Sequence, residues 1–376
     1  MSERWDAVVV GAGPAGSAAA TVLAGLGRRV LVLEKDVFPR HKVCGEFLSA
    51  DALPSLERLG ARASVERATE ERMTHGTIHL SRGAAVSFEL PEPALGISRF
   101  RFDDLLARRA RDAGASLTFG ARVLAAEPGP EGFRVRFVHE QSERGIEARV
   151  VIGAWGRWDA LDRALDRGFL GRRSRYFGWS RDFLPEPGRL EGEVHLYLFS
   201  GGYCGLSRVE GGAVNLAGVV SERAWKRAGG GWATVVERAR RENAALDSEL
   251  SAMTPGPVGY LGTGPVFFTA KPATESGILM AGDAAGVIDP FSGEGQASAL
   301  AGGILAAEAA ERHLSGELSR EGCARAYEEA WRRRFARRFA WSALFRRLML
   351  HGTIGAVARR VAGERLVRFG IGATRR

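Results

Sequence analysis

Four apolar residues, Ala7-Val8-Val9-Val10, run without a polar break near the start of this chain and stop at Gly11. An unbroken run of this length, closed by glycine, predicts a strand covered on both faces. Small residues dominate from Pro14 to Ala24, predicting a closely packed helix, and a second run, Val30-Leu31-Val32-Leu33, ends in Glu34. The signature returns at Arg149–Gly153 and at Ile278–Ala281, the latter followed by an alanine-rich helical stretch from Gly295 to Leu314. The middle of the chain alternates instead. Thr77-Ile78-His79-Leu80, Ala85-Val86-Ser87-Phe88 and Gly192–Leu198 place apolar residues at every second position, the period of a half-covered strand. Strands are also predicted at Arg122–Glu127, Phe133–His139, over most of Tyr176–Val220 and at Val266–Phe268. Helices are predicted at Ala50–Leu59, Phe102–Ala113, Trp232–Leu250 and from Arg320 onward. Strand-helix units at both ends and a strand-rich middle predict an α/β nucleotide domain interrupted by a β-rich second domain.

The turn after the first strand is Gly11-Ala12-Gly13-Pro14-Ala15-Gly16, and Glu34 lies eighteen residues beyond Gly16. Gly11 permits the sharp turn, Gly13 lets backbone approach a pyrophosphate, and Gly16 lets the helix pack close to the strand. The helix start offers free N–H groups and the positive end of its dipole, and Glu34 can accept from a ribose. A second such place is Gly282-Asp283, at the end of Ile278–Ala281, with Pro290 and Gly293-Glu294-Gly295-Gln296 opening the next helix. The fingerprint points to a dinucleotide and leaves FAD and NAD both open.

Length and charge narrow the class. The 376 residues suffice for two domains with substantial cores. No run of eighteen apolar residues occurs and the N-terminus leads straight into the first strand, so a cytoplasmic protein is expected. Cys44, Cys204 and Cys323 are scattered, forming neither a disulfide framework nor a metal motif, and no metal site is expected. Fifteen arginines against four acids lie between Arg320 and Arg376, a surplus of eleven. The rest of the chain is therefore at −2 against a total of +9. The basicity belongs to the tail, which argues against a nucleic-acid partner for the body. Bulky apolar residues interleave these arginines, so the tail is expected either to pack on its own domain or to meet a membrane surface or an acidic carrier protein, peripherally.

Taken together, these segments resemble a known family. Gly282-Asp283-Ala284-Ala285-Gly286 with Asp289-Pro290-Phe291-Ser292-Gly293-Glu294-Gly295 resembles the FAD ribitol-binding motif of flavoproteins with the p-hydroxybenzoate hydroxylase fold. Arg99-Phe100-Arg101-Phe102-Asp103-Asp104-Leu105 resembles their Arg-x-x-Phe-Asp-x-x-Leu segment. Lys42-Val43-Cys44-Gly45 resembles the Lys-x-Cys-Gly segment of the geranylgeranyl reductase-like branch. The resemblance implies a Rossmann-type, glutathione-reductase-like FAD domain over 1–72, 96–160 and 270–318. The β-rich substrate domain would take 73–95 and 161–269, and basic C-terminal helices 319–376. It also implies one extended FAD, held by Gly11, Gly13, Ala15, Gly16, Glu34, Lys35, Cys44, Gly45, Phe47, Arg99, Val123, Gly282, Asp283, Pro290, Gly295 and Gln296.

Departures from the family shape the functional expectation. Trp155 stands where many hydroxylases carry the acid of an Asp-Gly motif, so the electron donor is either NAD(P)H or a separate reductase. Trp155 itself is either core or a cofactor contact. Of the lipid-site motif of geranylgeranyl reductases only Tyr203 remains, in Tyr203-Cys204-Gly205-Leu206-Ser207-Arg208. The halogenase tryptophan motif and catalytic lysine have no counterpart. Cys44 and Tyr203 are the candidate catalytic residues, with His195 as a further substrate-facing candidate. Tyr176, Phe177, Trp179, Tyr197 and Phe199 form either an apolar pocket or an aromatic core. The expected activity is an FAD-dependent oxidoreductase acting on a hydrophobic, free or carrier-bound biosynthetic intermediate. Oxygen-dependent hydroxylation or oxidation is the first expectation and carbon–carbon double-bond reduction the second. A docking flavoprotein with little catalysis of its own is the third.

Overall fold

The computed structural model describes residues 4–81 and 83–350, and two sheets organise them. The first is built on five parallel strands in the order Ile278–Met280, Ser142–Gly153, Arg4–Val10, Val30–Glu34 and Ser116–Phe119. Thr274–Glu275 extends one edge, and the antiparallel pair Arg122–Gly129 and Gly132–His139 attaches through Ser142–Gly153. Every residue of Val30–Glu34 is buried, the burial of a parallel strand sheathed on both faces. Register aligns the carboxyl ends: Val10 pairs with Leu33 and Gly153, and Gly153 with Met280. Gly11, Glu34, Ala154 and Ala281 therefore lie along one rim, where open α/β sheets bind ligands.

Helices Pro14–Gly25 and Gly295–Leu314 pack backbone to backbone. A Cβ added at Gly303 would stand 2.1 Å from the Ala15 carbonyl oxygen, and one at Gly16 would stand 1.8 Å from that of Gly11. Such contacts exist only because both positions are glycine: the first holds the start of Pro14–Gly25 against Gly295–Leu314, and the second holds it against the turn that follows the strand.

The second sheet has nine strands. Along its main path lie Met253–Pro255, Tyr176–Pro185, Val214–Ser221, Gly202–Arg208, Glu193–Phe199, Arg72–His79, Ala85–Gly96 and Phe47–Leu48, with Leu261–Thr263 beside Tyr176–Pro185. Its two faces have different fates. Leu198 pairs with Tyr203 and Leu196 with Gly205, so these share the face turned to the first domain. His195, Tyr197, Phe199, Cys204 and Leu206 share the other. The outer face packs under Trp232–Glu242 and Ala244–Ser251 in a core that includes Tyr197, Leu206, Val235 and Leu246.

Three local expectations change. Trp232–Leu250 is two helices, not one, because Asn243 adopts an extended backbone and its side chain accepts from Leu246 N–H, capping the second. Val266–Phe268 is not a strand. The Val266 N–H reaches Tyr176 O, but Thr269 N–H then turns back to Phe267 O, leaving no ladder. The basic tail is helical over Arg320–Leu350 and packs on its own domain through Cys323, Tyr327, Trp331 and Phe335, a stripe at four-residue spacing. Residues 351–376 of the tail lie outside the described residues.

The paired glycines of Gly295–Leu314 separate space from propensity. At Gly302 an added Cβ would meet nothing nearer than 3.5 Å. Gly302→Ala should stabilise by up to about 1 kcal/mol through helix propensity. Gly303→Ala should destabilise by roughly 1–3 kcal/mol despite the same gain, because the helices must move apart. Urea midpoints of the two variants check the opposite signs.

Candidate active site

The aligned rim of the first sheet and the inner face of the second enclose one elongated cleft. Fifteen of the sixteen residues expected to hold a dinucleotide line it, drawn from five separate stretches of chain. Gly16 is the exception. It sits behind the turn and serves the close packing of strand against helix.

At one end Glu34 accepts from Ala12 N–H at 2.7 Å and from Asp36 N–H at 2.9 Å, which locks the glycine turn to the second strand. Val123 and Lys35 stand beside it, the lysine paired with Asp159 at 2.6 Å. The Arg99 guanidinium approaches Gly13: an added Cβ there would be 3.8 Å from it. Asp103 orients the guanidinium through bonds of 2.6 and 2.7 Å and also takes Arg40 at 2.8 Å. The arginine named by the resemblance thus stands at the phosphate turn.

At the other end Asp283 lies 3.4 Å from Arg157. Phe47 packs against Gly293 beside Pro290, and Gly295 and Gln296 begin the long helix. Neither this helix nor Pro14–Gly25 has a side-chain cap, so two helix starts present N–H groups to one cleft. The buried Gln296 Oε1 lacks a hydrogen-bond partner among the described residues. Two uncapped helix starts, an acid at one strand end, phosphate-side cations and this amide oxygen fit an extended flavin dinucleotide. Glu34 would hold its ribose, the glycine turn and Arg99 its pyrophosphate, Asp283 its ribitol, and Gly295–Gln296 its ring.

The segment Lys42–Ser49 bridges the two sheets. Arg157 bonds Val43 O, Asn215 bonds Cys44 O, Ser207 bonds Gly45 O, and Phe47–Leu48 pairs with Leu95–Gly96. The Cys44 sulfur accepts from Glu46 N–H at 3.4 Å and lies 3.7 Å from Gln296 Nε2. Burial pushes the thiol pKa up, against the pull of Arg99. Glu46 holds a left-handed backbone (φ 55°), and burial raises its carboxyl to about 8.

The inner face of the second sheet supplies Ile78, Phe88, Leu90, Val194 and Leu196 to the cleft. Tyr203 joins them, but its hydroxyl donates to the buried Asp289 at 2.6 Å. His195 does not face the cleft. It lies on the outer face beside Glu193, with Nδ1 3.1 Å from His79 and 3.2 Å from Tyr197. Alternation explains the correction, since Val194 and Leu196 take the inner positions. Tyr197 and Phe199 are outer-face core for the same reason. Trp155 is buried with its ring on Gly153. Its N–H donates to Asp162, which Arg167 also binds at 2.9 Å, so the residue builds the floor while lining the cleft.

Sequence reasoning passed over Lys42, Glu46 and Asp289 as site residues. A signal existed for the lysine: only four lysines accompany forty-nine arginines. Lys35 and Lys42 line the cleft, and the buried Lys271 donates to Asp283 O at 2.8 Å.

A family profile described as FAD binding domain matches residues 4–340. The chain is 30% identical over 351 residues to menaquinone reductase from Mycolicibacterium smegmatis, covering 88% of this chain and 80% of that protein. It is 28% identical to digeranylgeranylglycerophospholipid reductase 2 from Methanopyrus kandleri, over 90% and 85% of the two. Its fold matches a geranylgeranyl bacteriochlorophyll reductase-like protein from Thermoplasma acidophilum with a TM-score of 0.80 at 22% identity, covering 99% and 96%.

Lys42 makes a pH-dependent prediction. Burial, then the charges of Arg40 and Arg99, lower its ammonium to about 8. The amine is charged below that pH and attracts a diphosphate; the attraction is lost as pH rises through it. FAD affinity should therefore weaken above about pH 8. Lys42→Met should bind FAD more weakly at neutral pH and lose this dependence. Titration by flavin fluorescence quenching checks both.

Proposed function

We propose that this chain, which belongs to the FAD binding domain family, is a reductase that saturates a carbon–carbon double bond in an apolar, isoprenoid-type substrate. As an FAD-dependent oxidoreductase of the p-hydroxybenzoate hydroxylase fold, in its geranylgeranyl reductase-like branch, it carries the cofactor whose redox chemistry such a reaction needs. Both curated relatives described above are named as reductases, which supports reduction over the oxygen chemistry first expected.

One observation carries the choice of substrate. Among the described residues, the second sheet contributes no charged side chain to the cleft. Both of its hydroxyls there are committed: Tyr203 donates to Asp289 and Ser207 to Gly45 O. A substrate rich in hydroxyls would be desolvated without compensation, whereas an apolar chain loses nothing.

FAD, once reduced with two electrons by NAD(P)H or a separate reductase, would supply the hydride equivalent for one alkene carbon. The neighbouring carbon then needs a proton, and Cys44 is placed to provide it. Burial keeps the thiol neutral, and the Glu46 N–H directed at the sulfur leaves the S–H hydrogen free to turn into the cleft. The thiolate left behind faces the positive charges of Arg99 and Arg157. The protonated Glu46 carboxyl lies two residues along the same strap. The substrate would thus gain two hydrogens, one of them as the proton from Cys44, and a proton from solvent would restore the thiol.

Protein reduced anaerobically with dithionite and given a prenyl alkene should return to the oxidised flavin spectrum, with product mass increased by two hydrogens. Incorporation of labelled dioxygen, with no reaction in its absence, would establish the monooxygenase instead. Cys44→Ala should keep its FAD and lose roughly a hundredfold in single-turnover rate.

A further inference from the structure

The helix Arg320–Leu350 divides its arginines between two tasks. Its inward stripe is spent on packing: Trp331, Phe335 and Phe339 stack at 5.4–5.5 Å, and Phe339 covers Gly286. Two arginines turn inward with it. Arg338 approaches Glu294 at 4.0 Å, and Arg346 approaches Asp289 at 3.7 Å. Arg346 also stands 5.1 Å over Phe268, a residue of the cleft wall, and 5.7 Å over Tyr176. This half of the helix therefore adjoins the cleft wall.

The outward side is different. Arg332, Arg333, Arg334 and Arg337 are all exposed. Leu344 follows Arg337 by seven residues and Arg333 by eleven, which places it on the same face, and it is 44% exposed. The acids of the helix, Glu321, Glu328 and Glu329, stop before this stretch. From Glu329 to Glu364 the sequence contains nine arginines and no acid, with apolar residues throughout. A long acid-free basic surface with an exposed leucine complements anionic headgroups over an apolar layer. No helix among the described residues is long and apolar enough to cross a membrane.

We propose that the outward face of this helix, Arg332–Arg334, Arg337 and Leu344, docks the protein on an anionic phospholipid surface. The attachment is electrostatic first, because the helix's aromatic stripe is already buried, and so it is salt-sensitive. It does not depend on which reaction the cleft performs.

The test is sedimentation of the FAD-loaded full chain with vesicles, which requires no turnover. Binding is expected to vesicles of phosphatidylcholine mixed with phosphatidylglycerol, to fall as salt is raised, and to be at least tenfold weaker with phosphatidylcholine alone. Arg332→Glu, Arg333→Glu, Arg334→Glu and Arg337→Glu combined should abolish it while the flavin spectrum and melting temperature stay at parental values. Leu344→Ala should weaken binding a few-fold and keep the salt dependence. Equal binding to both vesicle types, or no binding to the anionic ones at low salt, would overturn the proposal; an acidic protein bound in their place counts against it equally.

Discussion

The closeness of two helices is the constraint on which the site rests. Pro14–Gly25 and Gly295–Leu314 touch along their backbones because Gly303 leaves room for the Ala15 carbonyl. That contact brings together two helix starts almost three hundred residues apart in sequence. One points at the glycine turn and the other opens at Gly295–Gln296. Each carries uncapped N–H groups and a positive dipole end, so a ligand negative along its length is stabilised at two places for one backbone arrangement. The aligned strand ends place Glu34 and Asp283 on the same rim.

The strap Lys42–Ser49 then makes one cleft out of two domains. Its bonds to Arg157 on one side and to Asn215 and Ser207 on the other hold Cys44 between the sheets. Burial also shifts the titratable groups of the strap: it lowers Lys42 and raises Cys44 and Glu46. A segment without long regular structure thereby brings a lysine, a thiol and a carboxyl to the cleft, because it is bonded to different rigid elements on its two sides. Its left-handed Glu46 is the backbone cost of the turn between them.

Polar groups of the second domain are spent on structure. Tyr203 links the inner sheet face to Asp289, whose backbone N–H donates to Ser342 Oγ and whose carboxylate faces Arg346, both on the last helix. The hydroxyl that looked catalytic in the sequence is thus one end of a buried chain joining three elements. The histidines met a similar fate: His79 and His195 form a pair on the covered face, where burial and mutual repulsion lower the His79 pKa. What faces the substrate is apolar because the polar residues at alternate positions point away.

The sequence by itself determined whatever depends on neighbours within a few residues. Glycines at 11, 13 and 16, an acid after an apolar strand, and a leucine-alanine helix opening at Gly295 are local geometry, legible as spacing. The cofactor class followed from such segments in order. Only the tertiary structure decided that His195 faces away while Tyr203 faces in, that the Tyr203 hydroxyl is committed to Asp289, and that Lys42 and Glu46 both line the cleft. It also decided that Asn243 breaks a helix and that Arg338 and Arg346 of the basic helix turn inward toward Glu294 and Asp289. Each of these depends on strand register or helix packing between residues tens to hundreds of positions apart. A period-2 pattern says that two faces differ but not which one meets the cofactor. That choice is made by which partner layer buries which face.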